Sequence, residues 1–89
     1  MFRVSGYTEN KSPVIAGVYQ FSATYGVPLD LMAIIFRDKG WVIDILSYVK
    51  DGLNEGEKLT SLVAKLESIT PSSSIKELKN NIVKWVFEK

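Results

Sequence analysis

The chain has 89 residues and a mass of 10.0 kDa, and its 46% hydrophobic and 24% charged residues are typical of one small folded domain. Eleven Lys and Arg against ten Asp and Glu leave a formal charge of +1, which argues against a polybasic surface for nucleic acids or membranes. The absence of Cys excludes disulfides, and the absence of His removes the commonest general base and transition-metal ligand. We therefore predict a single domain over residues 1–89 with no enzymatic activity, no cofactor and no metal site.

The N-terminal residues bear on the cellular compartment. Residues 1–6 have no apolar run after their charge, so we expect no secretory signal, and the lack of Cys agrees with a cytoplasmic protein. The most apolar stretch, 12–36, is interrupted by Gly26 and Pro28. It predicts two short buried helices and no transmembrane segment.

The first elements are predicted from local capping signals. Residues 1–12 are expected to form an irregular or briefly extended arm. A helix is predicted from Pro13 to about Tyr25, because Ser12 can cap its N-terminus and Gly26 can end it.

The second predicted helix, Pro28–Asp38, is apolar nearly all round. One apolar stripe consists of Leu29, Met32, Ala33 and Phe36. Leu31, Ile34 and Ile35 cover most of the remaining helix surface. A helix with this composition must be covered nearly all round. If it is central, the monomer explains it, and if it is peripheral, its second face is open to a partner.

The rest of the chain predicts three more helices. The segment Trp41–Asp51 has strong β-propensity, but its apolar residues fall at helical intervals, so we predict a helix there. A turn at 51–54 and a one-sided apolar stripe over 59–69 follow, and a last helix begins near Ile75. The predicted fold class is all-α, a compact array of about five short helices, either with or without a short extended N-terminal arm.

Catalytic and metal-binding patterns are weak. Ser61 and Lys65 lie four residues apart on a predicted solvated helix face, which does not favour a Ser–Lys nucleophile. Glu55 and Glu57 lie at a helix start, where carboxylates stabilise the helix. The acidic run 51–57 lacks the carboxylate that a calcium loop needs at its end.

Two consecutive predicted helices carry a small residue, a glycine turn and apolar residues at set offsets. These positions are Phe21, Ser22, Tyr25, Gly26, Val27, Met32 and Ile35. On these residues the stretch 18–37 resembles the helix-turn-helix of repressor proteins, which implies DNA binding. The positions that would face DNA are Pro28, Leu29, Asp30, Ala33, Ile34 and Arg37. Because they offer one arginine, one acid and aliphatic side chains, they favour a protein surface over DNA.

A second resemblance points to membranes. The pieces 25–28, 40–42 and 74–76, together with Trp85, resemble short parts of the saposin-like circular bacteriocins. That resemblance implies a compact five-helix peptide that acts on membranes. The chain departs from the family in its ten acidic residues, which remove the cationic face that draws such peptides to anionic lipid.

These observations favour a non-enzymatic protein-protein interaction or self-association module, as a homodimer or an adaptor, that uses the apolar helix 28–38. Helix-turn-helix DNA binding and membrane activity remain the alternatives. The predicted partner-binding residues are Leu29, Ala33, Ile34 and Arg37, with Val83 and Phe87 as a second patch.

Overall fold

The computed structural model describes residues 2–87, so residues 1, 88 and 89 of the predicted domain lie outside the described residues. Within this range the chain forms five α-helices and a small sheet. In chain order the elements are β1 (Arg3–Tyr7), β2 (Pro13–Ala16), α1 (Val18–Tyr25), α2 (Leu29–Lys39), β3 (Val42–Ile43), α3 (Ile45–Asn54), α4 (Leu59–Glu67) and α5 (Ile75–Phe87), with a 3₁₀ turn at Ser72–Ser74. The predicted all-α class is therefore wrong, and the fold is mixed α/β.

The sheet has the strand order β1-β2-β3, with β2 in the centre. β1 and β2 form an antiparallel hairpin in which Val4 is opposite Ile15 and an irregularity falls at Ser5. β3 pairs with β2 in parallel, with Ile15 opposite Ile43. Asp44 extends this contact, because its backbone N–H donates to the Ile15 carbonyl at 2.9 Å. A β-branched residue suits this central position, and Ile15 is buried.

The helix predicted from Pro13 begins instead at Val18, after a left-handed Gly17. Proline is compatible with the first position of a strand as well as of a helix, because the backbone N–H that proline lacks is not needed for a hydrogen bond at either position. Pairing with both neighbouring strands decides in favour of the strand over Pro13–Ala16.

The second helix is confirmed, with α2 one residue later at each end than predicted. Gly40 ends it in the left-handed conformation at φ 72°, where a side chain would be strained. The backbone N–H of Trp41 then donates to the Phe36 carbonyl at 2.8 Å, which closes the last turn.

The helix predicted over 41–51 begins only at Ile45, because residues 42–43 pair as β3. Asp44 caps the N-terminus of α3, since its side chain accepts a hydrogen bond from the Ser47 backbone N–H at 3.1 Å. The Ser5 hydroxyl donates to the same carboxylate at 2.7 Å and joins β1 to this cap. The turn predicted at 51–54 is the last turn of α3.

The core lies between the sheet and the inner faces of the helices. Its buried members include Ile15, Val18, Met32, Phe36, Tyr48, Val49, Leu62, Leu66 and Ile82. The last helix contributes least in proportion to its length, because Leu78 and Ile82 are its only buried residues among those described.

Candidate functional site

The surface of α2 that faces away from the core is aliphatic. Leu31, Ile34 and Ile35 are 46%, 58% and 42% exposed, respectively. Their spacing of three and four residues makes them neighbours on one side of the helix. The opposite side of α2 supplies buried Leu29, Met32 and Phe36. We call the exposed set Leu31, Ile34 and Ile35 the outer face of α2.

An acid and a base lie along one edge of this outer face. Asp30 and Arg37 are seven residues apart, which is almost two helical turns, so they share one edge of α2. Both are exposed, and within residues 2–87 neither forms an ion pair. Beside this edge, a groove of about 380 Å³ separates α2 from the segment 68–71.

The structure brings some of the predicted contact residues together. Ala33, Ile34 and Arg37 line the groove beside α2. Leu29 does not belong with them, because it is only 8% exposed and lies in the core. Both sides of α2 are apolar in the sequence, so the pattern could not show which side turns inward.

The predicted second patch lies on α5. Val83 is 46% exposed and lines a separate groove between α4 and α5, and Phe87 is 82% exposed. In contrast, Leu31 and Ile35 of the outer face were absent from the predicted contact set. Their signal was present in the sequence as the second apolar side of the helix.

A continuous row of five aromatic rings joins the N-terminal arm to α1 and α2. In spatial order the rings are Tyr25, Phe21, Phe2, Phe36 and Trp41, with centroids 4.6–5.5 Å apart between neighbours. The Lys39 ammonium lies 5.2 Å from the centroid of Trp41, within the range of a cation–π contact. The row explains how Phe2, outside the sheet, is held against the helices.

A polar cluster occupies another cavity, of about 260 Å³, lined by α1, α3, α4 and the first turn of α2, which contributes Leu29 and Asp30. Lys65 Nζ donates to Glu57 Oε1 at 2.8 Å, and the Tyr19 hydroxyl hydrogen-bonds to Glu57 as well. The Tyr19 ring packs edge-on against Tyr48, with centroids 5.4 Å apart. Sequence patterns did not reveal this cluster, because its members come from separate elements.

The pKa shifts in this cluster stabilise the protonation states that its members already have at neutral pH: a charged Glu57, a charged Lys65 and a neutral Tyr19. The hydrogen bond to Glu57, assisted by burial, raises the pKa of Tyr19 to about 12. The hydrogen bond from Lys65 lowers the pKa of Glu57, and the same contact raises the pKa of Lys65. A general acid or base needs a pKa near the working pH, and these shifts go the other way. The cluster therefore has the character of a structural network.

We expect Glu57→Gln to lower the free energy of unfolding most near neutral pH. Glu57 has a lowered pKa in the folded state, so its contribution is present above its ordinary value of 4.5 and is lost as the pH falls through the folded value. Tyr19 has a raised pKa, so its contribution is complete below 10.0 and is lost as the pH rises to about 12.

Urea unfolding of the wild type and Glu57→Gln at a series of pH values measures this difference. The difference in free energy of unfolding between the two proteins should become small at both low and high pH. Tyr19→Phe serves as a control, because it should abolish the loss of stability on the alkaline side and only reduce the loss on the acidic side, where Lys65 still lowers the pKa of Glu57. A gap that stays constant with pH would contradict the network.

No protein-family model, curated protein or solved structure matches the chain. Among the helices of residues 2–87, none has the length and apolar character to cross a membrane. In the same described range, no group of three or more acidic side chains is placed to hold a metal ion.

Proposed function

We propose that this protein is a non-catalytic interaction module that self-associates as a homodimer through the outer face of α2. One observation carries the proposal: Leu31, Ile34 and Ile35 form a contiguous aliphatic surface on a helix whose other side already fills the core. A helix at the surface of a monomer usually carries polar residues on its outer side.

The energetics favour covering this surface. Complete burial of a Leu or Ile side chain contributes about 1.5–3 kcal/mol, so burying the exposed half of each contributes about 1 kcal/mol. A symmetric pair doubles the number of such side chains in the contact. A helix of eleven residues is only about 16 Å long, so the contact is small, and a gain of about 6 kcal/mol from six side chains corresponds to a dissociation constant of about tens of micromolar or weaker.

A second copy is the partner that requires the fewest assumptions. Two-fold dimers are the commonest soluble oligomers, and in them one surface patch serves both subunits. The charges of α2 also favour a protein over DNA, because the two acids Asp30 and Asp38 offset the two bases Arg37 and Lys39. A cytoplasmic location is part of the proposal and agrees with the absence of Cys.

Light scattering coupled to size exclusion tests the proposal over a range of protein concentrations. The weight-average mass should rise from 10.0 kDa towards twice that value as the concentration passes through the micromolar range. A mass that stays at 10.0 kDa up to the highest concentration reached would contradict self-association.

A further inference from the structure

We infer that the two copies pair through α2 in an antiparallel, two-fold arrangement in which Asp30 of each copy meets the partner's Arg37. This inference rests on the proposed function and adds the orientation and the specificity of the contact. It derives from the order of charges along the edge of the outer face, and from the position of Ile34 between them.

The geometry of an antiparallel pair brings these two positions together. A two-fold axis between two antiparallel helices places the same edge of each helix face to face and reverses the order of residues along it. Asp30 and Arg37 share one edge of α2, and the midpoint between them falls at Ala33 and Ile34. Ile34 is the most exposed residue of the outer face. The axis that packs Ile34 against the partner's Ile34 therefore aligns both charge pairs.

Orientation follows from the charges. In a parallel two-fold pair, the edge that carries Asp30 and Arg37 would face the opposite edge of the partner helix, so neither group would meet its counterpart. In the antiparallel pair, Asp30 and Arg37 of each copy meet the partner's Arg37 and Asp30, and both contacts are attractive. Asp38 lies four residues after Ile34 and therefore at the C-terminal end of the same side of α2. In the antiparallel pair it is level with the N-terminus of the partner helix, where a carboxylate is favourable.

Neither Asp30 nor Arg37 is used in an ion pair within the described chain, and both are exposed. Asp30 Oδ1 accepts a hydrogen bond from the Leu31 backbone N–H at 2.9 Å, so its second oxygen is the one left for the partner. The ion pairs that the described residues form, Lys65–Glu57 and Lys79–Glu67, are on other elements.

Charge reversal tests the arrangement. Asp30→Arg places arginines at both edge positions, and Arg37→Asp places acids at both, so each variant should repel its own copies. Two exposed pairs change from attraction to repulsion, and we expect dimerisation to weaken about tenfold in each single variant. The double variant D30R/R37D restores opposite charges and should return to within about threefold of the wild type.

An equimolar mixture of the two single variants gives the decisive measurement. Each alone repels itself, but together they present opposite charges, so the mixture should form a heterodimer at concentrations where neither single variant dimerises. A change in helix stability would affect each variant alone and could not produce this result. Isotope-labelled copies distinguish the heterodimer from homodimers by native mass spectrometry.

The outcomes separate the orientation from the function. If the wild type dimerises but the mixture forms no heterodimer and the double variant is not restored, the antiparallel pairing is overturned and the proposed function stands. If the wild type does not dimerise at all, both are overturned.

Discussion

Ile34→Asp is expected to weaken self-association by at least about thirtyfold while the monomer stays folded. Ile34 is 58% exposed and lies outside the core, so the substitution removes few internal contacts. In the dimer it would place two carboxylates against each other at the two-fold axis, away from water. Leaving such a charge buried and unpaired costs about 2–5 kcal/mol, which corresponds to a factor of about 30 to several thousand in affinity.

Sedimentation equilibrium of Ile34→Asp beside Ser61→Asp measures this effect. Ser61 is exposed on α4, so the control adds the same charge to a helix without touching the outer face. Both variants should unfold within about 0.5 kcal/mol of the wild type, as surface substitutions do. Unchanged dimerisation of Ile34→Asp would exclude the outer face as the contact, and loss of its fold would place Ile34 in the core.

Gly52→Val is expected to lower the free energy of unfolding by about 3 kcal/mol, at the upper end of the usual penalty for overpacking. Gly52 is buried in the last turns of α3, directly against the Leu62 side chain of α4. A Cβ at this position would overlap Leu62 Cδ2 and lie 2.8 Å from Cδ1 and 3.1 Å from Cγ. Leu62 is fully buried, so it can move aside only by displacing its neighbours in the core.

A double-mutant cycle with Leu62→Ala identifies the cause. Leu62→Ala alone should cost about 2–5 kcal/mol, because it leaves a cavity where α3 meets α4. In the double variant, the valine side chain introduced by Gly52→Val fills part of that cavity. The double variant should therefore lose at least about 1 kcal/mol less free energy of unfolding than the sum of the two single-variant losses. Chemical denaturation gives all four free energies. Additive losses would show that α3 and α4 do not meet through this pair.

Local signals were sufficient to predict α2. Pro28 precedes the helix and Gly40 follows it, and both mark their positions through their own backbone preferences. The same kind of signal failed at Asp51–Asn54, where a glycine suggested a turn. There the small residue is required by the approach of Leu62, a contact that no local pattern contains.

The sheet could not be predicted because its pairing is non-local. Ser12 and Pro13 begin a helix or a strand equally well, and the choice depends on hydrogen bonds to Arg3–Tyr7 and Val42–Ile43. β3 has only two residues, too few for any alternation of apolar and polar side chains to be visible.

For the candidate site, the sequence located the helix but not its rotation about its own axis. Apolar residues on both sides of α2 left two outcomes open, a central helix covered by the monomer or a peripheral helix with one open face, and the structure has the exposed face at Leu31, Ile34 and Ile35. Which side turned inward depended on the shape of the core, and this is why Leu29 was assigned to the surface.

The connection between β2 and β3 holds α2 in place from both directions. The chain leaves the sheet at Ala16, forms α1 and α2, and returns at Val42 beside the strand it left. The outer face is thus presented on a preformed support, and no segment has to become ordered when a partner arrives. Association therefore forfeits little backbone entropy, and two copies should meet at the rate of rigid-body docking, about 10⁵–10⁷ M⁻¹ s⁻¹.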